Sequence, residues 1–259
     1  LEIPCDDIPL IEERYQKYKA GETLKYDHLG FTIKKSEIVD SIYLPIYYNP
    51  EIVEQLEGLR KDYDLVRFGD LVETGVVSVS TGDEVGKLAY GTGQIPFIRT
   101  SDIANWEIKI DPKQGLNEEL YNSLKEKQVK DGTYLVGTCA MVSESDTKMV
   151  FQSHLYKIRC NDHEKINPWL LLALLSCPIV KQQIRSKQFT QDIIDTLGRR
   201  IYELVLPFPK DEAKKADIIN SVQQVFNKRN EAKNLMRSTL LNVTPVHDFE
   251  EDRNFLTLI

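Results

Sequence analysis

A mixed α+β fold is expected, with a strand-rich middle holding several helices, followed by one long helix of coiled-coil type. Three observations predict it. Short runs of β-branched and aromatic residues, separated by turn residues, crowd residues 65–165. Apolar positions between Asp211 and Asn242 recur at helical rather than alternating spacing. Hydrophobic residues make up 41% and charged residues 28% of a 259-residue chain, a balance that supports a sizeable core.

Residues 1–64 read as a linker or docking segment. Asp7-Ile-Pro9 heads a polar helix running to about Lys19, with Pro9 suited to the first turn. Phe31-Thr-Ile33 reads as a short strand and Lys34 to Asp40 as a turn of helix. The run from Tyr43 to Pro50 is aromatic and punctuated by proline, which favours extended chain docked on a neighbour. From Glu51 to Lys61 a helix places Ile52, Leu56 and Leu59 on one face.

Residues 65–209 form the main unit. Its expected strands are Leu65–Phe68, Val76–Val79, Ile95–Arg99, Trp106–Ile110, Thr133–Val136, Ala140–Val142, His154–Ile158 and a last one at Ile201–Leu206. Asn117 to Gln128 is helical in pattern. Asn167-Pro168 starts a helix ending at Ser176, and Pro178 restarts one to about Lys187.

In residues 210–243, Ile218, Val222, Val225, Ala232, Leu235 and Met236 form a stripe that Arg229 interrupts. At the rise of an α-helix this is a rod of roughly 48 Å. A narrow apolar seam needs a partner helix, and no other stretch of the chain matches its length. The expectation is that it packs on another protein or on a second copy, as a homodimer through 211–242. Residues 244–259 are an acidic, weakly patterned tail.

The order of motifs carries a resemblance. Gly69-Asp70-Leu71-Val72 leads through a glycine-dotted loop to Ile95-Pro-Phe-Ile-Arg-Thr-Ser-Asp-Ile103, then to Val129-Lys-Asp-Gly-Thr-Tyr-Leu-Val136, the helix at Trp169–Ser176, and Val205-Leu-Pro-Phe-Pro209 at the head of the long helix. Over about residues 65–242 this succession resembles the target-recognition domain of type I restriction–modification specificity subunits. Asp6-Asp-Ile-Pro9, Phe31-Thr-Ile33 and Tyr47-Tyr-Asn-Pro50 resemble the stretch that follows the catalytic domain in adenine-specific DNA methyltransferases fused to such a domain. The chain starts at Leu1 rather than methionine, so the expectation is a C-terminal piece of such an enzyme or a separate subunit. It departs from the family in having one recognition domain and one long helix. Gly132-Thr-Tyr-Leu stands where Gly-Asp-Ile-Leu is usual, and Glu212-Ala213 replaces a Glu-Gln pair. The resemblance implies sequence-specific reading of double-stranded DNA on behalf of a methyltransferase subunit or domain and a restriction subunit.

Catalytic motifs do not surface in the sequence. Cys5, Cys139, Cys160 and Cys177 are scattered without close pairs, which disfavours zinc. Asp162-His163-Glu164 reads as a hydrophilic turn. Tyr90-Gly-Thr-Gly93 lacks the third glycine and the strand–helix setting of a nucleotide loop, and Asn49-Pro50 is followed by Glu51 rather than by the residues that hold a flipped adenine. Glu107-Ile-Lys109, Glu212-Ala-Lys214 and Glu231-Ala-Lys233 have minimal nuclease spacing, which a charged chain produces by chance. No serine sits in a nucleophile elbow. The chain is therefore expected to do no chemistry, with S-adenosylmethionine and magnesium needed only in its parent or partner. No apolar run is long enough to cross a bilayer and no secretory leader is present, so a cytoplasmic location is expected.

The net charge of −7 opposes simple DNA binding. Its distribution is uneven: residues 1–64 hold 8 Lys and Arg against 14 Asp and Glu, residues 65–209 hold 17 against 18. The acidic balance keeps a second reading open, an interaction module or scaffold that reads no DNA. For the DNA reading, hydroxyls, amides and a few cations are needed at groove and phosphate. Ser78, Ser80, Thr81, Lys87, Tyr90 and Thr92 supply them on one long loop, which is either a reading loop or a flexible hairpin. Arg99, Thr100 and Ser101 end a strand; Arg99 either reaches DNA or pairs with Asp102 or Asp70. Ser143, Ser145, Lys148 and Gln152 form a second polar stretch. Arg185, Lys187, Gln188 and Gln191 form a third, which is equally a solvated helix end.

Overall fold

The computed structural model describes residues 6–22, 24, 26–124, 134–136, 139–142, 148–189 and 197–243. Helix α1 (Ile8–Lys19) carries proline in its first turn and Lys17 and Lys19 in its last, and buries none of its residues. Arg14 ties it to the following turn through Asp27 and through the Gly30 carbonyl at 3.2 Å. The strand expected at Phe31–Ile33 does not form. Among the described residues no strand lies alongside to take up its backbone, and the nearby bridge joins Asp27 to Gly30 instead. Lys35–Glu37 makes the expected helical turn. Pro45–Tyr48 coils into a 3-10 turn rather than extended chain, because Pro45 at its start presets the helical φ. Helix α2 (Pro50–Leu59) begins where the Asn49 side chain accepts the Glu51 N–H at 3.0 Å.

Strand β1 (Tyr63–Arg67) pairs antiparallel with a strand far along the chain. It stops one residue earlier than expected, because Phe68 is fully buried and opens helix α3 (Phe68–Glu73). Strands β2 (Val77–Thr81), β3 (Phe97–Ile98), β4 (Ile103–Ala104), β5 (Glu107–Ile108) and helix α4 (Glu118–Leu124) follow. Then come β6 (Tyr134–Val136), β7 (Ala140–Met141), β8 (Val150–Phe151) and β9 (Tyr156–Cys160). Among the described residues, β2, β9, β6 and β7 form one antiparallel sheet in that order, while β3 pairs parallel with β8. Strands β4 and β5 make a hairpin whose two turn residues, Asn105 and Trp106, both have positive φ (52° and 68°). Such turns favour Asn-Gly. Trp106 keeps the glycine position because its indole N–H donates to Ser176 Oγ at 2.8 Å and its ring stacks 6.4 Å from Phe226.

Helix α5 (Pro168–Ser176) is apolar on every side and buries Leu170, Leu171, Leu172, Leu174 and Leu175, as a helix without a polar face must. It is followed by α6 (Pro178–Lys187). Ile201–Leu206, expected as a strand, divides into a 3-10 helix over Gly198–Glu203 and strand β10 (Val205–Pro209), the partner of β1. Gln183 of α6, only 2% exposed, bonds both backbone groups of Val205 at 2.8 Å, so its buried amide is satisfied.

Helix α7 (Glu212–Val243) then runs the expected length. Its first half corrects the expectation of an unpartnered seam. Val222 is buried, and Ile218, Ile219 and Phe226 pack on the main core beside Trp106 and Trp169. The short helix α5 covers this half, although it is far shorter than α7. Leu235, Met236 and Val243 in the second half remain exposed. Leu172→Ala should therefore cost about 2–5 kcal/mol and lower the urea midpoint. Leu235→Ser should leave that midpoint unchanged, and urea melts of both variants check the contrast.

Candidate nucleic-acid interface

The hydroxyl-rich loop stands on a small core of its own, made of Ile95, Phe97, Leu116 and Val150. Both feet of the loop are glycines with no room for a side chain. A Cβ on Gly82 would lie 2.2 Å from the carbonyl oxygens of Phe151 and Gln152, and one on Gly93 2.4 Å from that of Leu116. Between them, Val85, Ala89 and Tyr90 pack down onto the small core. The Tyr90 ring lies 5.2 Å from that of Phe97, and its hydroxyl donates to the Val85 carbonyl at 3.3 Å. Thr92 donates to the Ala89 carbonyl at 2.7 Å and accepts from Asn117 at 3.3 Å. A loop held in this way is an ordered platform rather than a flexible hairpin.

Of the residues expected on the long loop, Lys87 and Thr92 are exposed on it. Ser78, Ser80 and Thr81, also exposed, lie instead on strand β2, because their backbone is taken up by pairing with β9. Thr100, Ser101 and Lys148 are exposed as well. Ser78 donates to Asn161 at 3.4 Å. Lys148 reaches Glu118 at 2.5 Å and sits 5.8 Å above the Tyr121 ring, which adds α4 to the same lobe. Gln152 is half-buried beside Asp83, to which it is joined by a backbone bridge.

Arg99 has a different occupation. Its guanidinium donates to both Asp102 oxygens at 3.2 Å and to Asp111 at 3.5 Å, and its backbone N–H donates to Asp102 at 2.8 Å. The hydrogen bond to Asp102 raises its pKa above the ordinary guanidinium value. Of the readings that the sequence leaves open, the pair with Asp102 forms, while Asp70 lies 3.6 Å from Arg67 instead. Ser101 is drawn into the same cluster, donating to Asp102 at 3.1 Å.

The third group lies against the N-terminal segment. Lys187 pairs with Glu203 at 2.7 Å and lies 4.3 Å above the Tyr47 ring, with a side chain only 15% exposed. Tyr47 donates to the same carboxylate at 2.6 Å, and burial, then that carboxylate, pushes its hydroxyl pKa well up. Lys187 is thereby a packing residue. Arg185 and Gln188 are exposed near it. Ser143, Ser145 and Gln191 lie outside the described residues. Two residues of the lobe escape sequence reasoning: Asn117, which fastens Thr92, and Leu88, 98% exposed at the centre of the 3-10 turn Lys87–Ala89. The adjacent Gly86-Lys87 is the only sequence signal for Leu88, and it is a weak one.

Among the described residues, no group of three or more His, Cys, Asp or Glu side chains is placed to hold a metal. Asp162 caps a turn by accepting the Glu164 and Lys165 N–H groups, and the Lys165 bond holds its carboxyl below the usual range. Burial pushes the Cys139 thiol up to about 11 and the Cys160 thiol up to about 12. No helix among the described residues is long and apolar enough to cross a membrane.

No protein-family model matches the chain, and no curated protein matches it. Similarity appears among solved structures. The type I restriction–modification S subunit from M. genitalium is 15% identical with a TM-score of 0.42, over 77% of this chain and 50% of that one. The HsdS subunit from Thermoanaerobacter tengcongensis is 11% identical with a TM-score of 0.39, over 88% of this chain and 49% of that one. A chain from work on complex assembly and conformational transition of the type I R-M system is 12% identical with a TM-score of 0.40, over 90% of this chain and 53% of that one. The chain thus spans about half the length of the structures it matches.

Arg99→Ala strands the Asp102 carboxylate, 7% exposed, without its cation. Because Arg99 itself is about a third exposed, the cost should be about 1–2 kcal/mol rather than that of a fully buried pair. Urea melts check it, and Arg99→Lys should recover only part of the loss, since an ammonium cannot replace the fork. The raised thiol values make a second prediction. Thiolate forms only as pH approaches the folded pKa, so iodoacetamide at about pH 8 should leave Cys139 and Cys160 unmodified in the native protein and label both after denaturation, as peptide mass spectrometry would show.

Proposed function

We propose that this chain is the DNA-reading part of a restriction–modification system. It directs an adenine methyltransferase, as a separate subunit or as the rest of a longer protein, and a restriction subunit to a short sequence. The observation that carries the reading is strand β2 together with the clamped loop that follows it between Gly82 and Gly93. Ser78, Ser80 and Thr81 on β2 and Lys87 on the loop are exposed, while Val85, Ala89 and Tyr90 fasten the loop from beneath. Donors and acceptors fixed before binding suit base edges and phosphates, because little ordering entropy is lost when duplex arrives. The order of motifs across residues 65–242 supports the same reading. In this proposal the chain contributes recognition only, and S-adenosylmethionine and magnesium belong to the partner. The exposed second half of α7 is the surface offered to that partner or to a second copy.

The acidic balance favours one other reading, a module of the same fold that binds protein and not DNA. Selection from random duplexes at low salt separates them. A reader should enrich a short motif, with affinity that falls steeply with salt, because counterions displaced from DNA gain less entropy in a more concentrated solution. On the enriched duplex, Lys87→Ala should weaken binding by about 1–3 kcal/mol if it reads a base, or reduce the salt slope by about 1 if it holds a phosphate. Retention at background at every ionic strength would rule out independent DNA reading by this chain.

A further inference from the structure

We infer that Leu88 is an apolar wedge that inserts between base pairs of the recognised duplex and opens a base step. The inference rests on the DNA-reading function proposed above and adds to it a residue, a mode of contact and a deformation of the ligand.

The loop between Gly82 and Gly93 contains four apolar side chains. Val85, Ala89 and Tyr90 pack onto the small core of Phe97 and Val150. Leu88, between them in sequence, is 98% exposed and is the most exposed large hydrophobic residue described. Burial is favourable for leucine, so a loop free to rearrange would tuck it away. This loop is not free to do so. Its feet are clamped where no Cβ fits, the Ala89 N–H donates to Gly86 at 3.0 Å, and Thr92 locks back onto Ala89 at 2.7 Å. The 3-10 turn therefore holds Leu88 at its apex.

The surroundings match a duplex. Lys87 precedes Leu88 and is exposed, and exposed Lys113 belongs to the turn whose backbone lies against Gly91. Glu84 is the exposed acid on the same loop. A leucine flanked by cations and hydroxyls is poor material for a protein-binding patch, which needs contiguous apolar area. Proteins that kink DNA do insert a single leucine, isoleucine, methionine or phenylalanine between base pairs while neighbouring cations hold the phosphates. A wedge also supplies specificity without a base-edge hydrogen bond, because steps differ in how readily they unstack.

The test uses the full chain and the duplex enriched by selection, with each adenine replaced in turn by the fluorescent analogue 2-aminopurine. Unstacking brightens this base. Wild-type protein should brighten one position several-fold, and Leu88→Ser should abolish the signal and weaken specific binding roughly tenfold. Leu88→Met, which retains an apolar tip, should restore both. Because Leu88 touches almost nothing, neither variant removes a folding contact, and unchanged melting checks this. Duplex binding without brightening at any position, or brightening that survives in Leu88→Ser, would overturn the wedge and leave DNA reading intact. Absence of duplex binding by the wild-type chain would overturn both.

Discussion

Pairing of β1 with β10 sets Tyr63 opposite Pro209 and Arg67 opposite Val205, so the chain between them leaves and returns through one neck. Everything proposed to meet DNA is carried on that excursion. Closing so long a loop costs entropy that grows only slowly with its length. Burial around the neck opposes the cost: Phe68 and Leu206 are fully buried and Leu204 is 1% exposed, while Gln183 bonds both backbone groups of Val205. Lys210 donates to the Arg60 carbonyl and Lys214 to the Tyr63 hydroxyl, both at 2.7 Å, so the helices on either side are fastened to it too.

From the neck, rigidity passes outward through a second junction. The hairpin of β4 and β5 belongs to the cluster around Ile98 and Phe151, but its turn reaches the long helix. Trp106 accepts an unfavourable left-handed conformation there, stacked on Phe226 and bonded to Ser176. Arg229 donates to the Asn105 carbonyl at 2.5 Å, and Lys233 lies 3.5 Å from Glu107. Arg229, which breaks the apolar stripe, thus has a structural use. These contacts fix the direction of α7 relative to the hairpin.

Legibility in the sequence followed how local the controlling interaction was. Helices α5 and α6 are legible with their observed bounds, because Asn167-Pro168 and Pro178 act within one turn. The long helix is legible to within a residue at each end, but its partner is not. Its cover comes from Leu-rich α5, whose register against Val222 depends on tertiary packing. The missed strand Val150–Phe151 pairs parallel with Phe97–Ile98, and a two-residue pairing leaves no periodicity to detect. Phe31–Ile33 has strand composition but, among the described residues, no neighbouring strand. At the candidate site, the sequence marks a long polar connection from Ser78 to Thr92, of which the part up to Thr81 is strand β2, since its pairing with β9 is a long-range contact. The pair of Arg99 with Asp102 was visible only as one option among several, and the exposure of Leu88 not at all, because nothing in the sequence distinguishes a leucine that packs from one that is held away.

The remaining tension is charge. A chain of net −7 lacks the bulk positive field that gives most DNA-binding proteins their non-specific affinity. The acids here are unevenly placed: residues 1–64 hold 14 of them against 8 cations, while residues 65–209 are almost balanced. Within the lobe, part of the charge is also spent internally, with Asp102 and Asp111 on Arg99 and Glu118 on Lys148. The surface left for DNA is then dominated by hydroxyls, amides and a few lysines. On the reading proposed here, that arrangement sacrifices phosphate attraction and keeps base discrimination. In that proposal the acidic N-terminal segment would repel duplex and so favour contact at the clamped loop. Specificity is a ratio of affinities, and it rises when the non-specific affinity falls as surely as when the specific one improves.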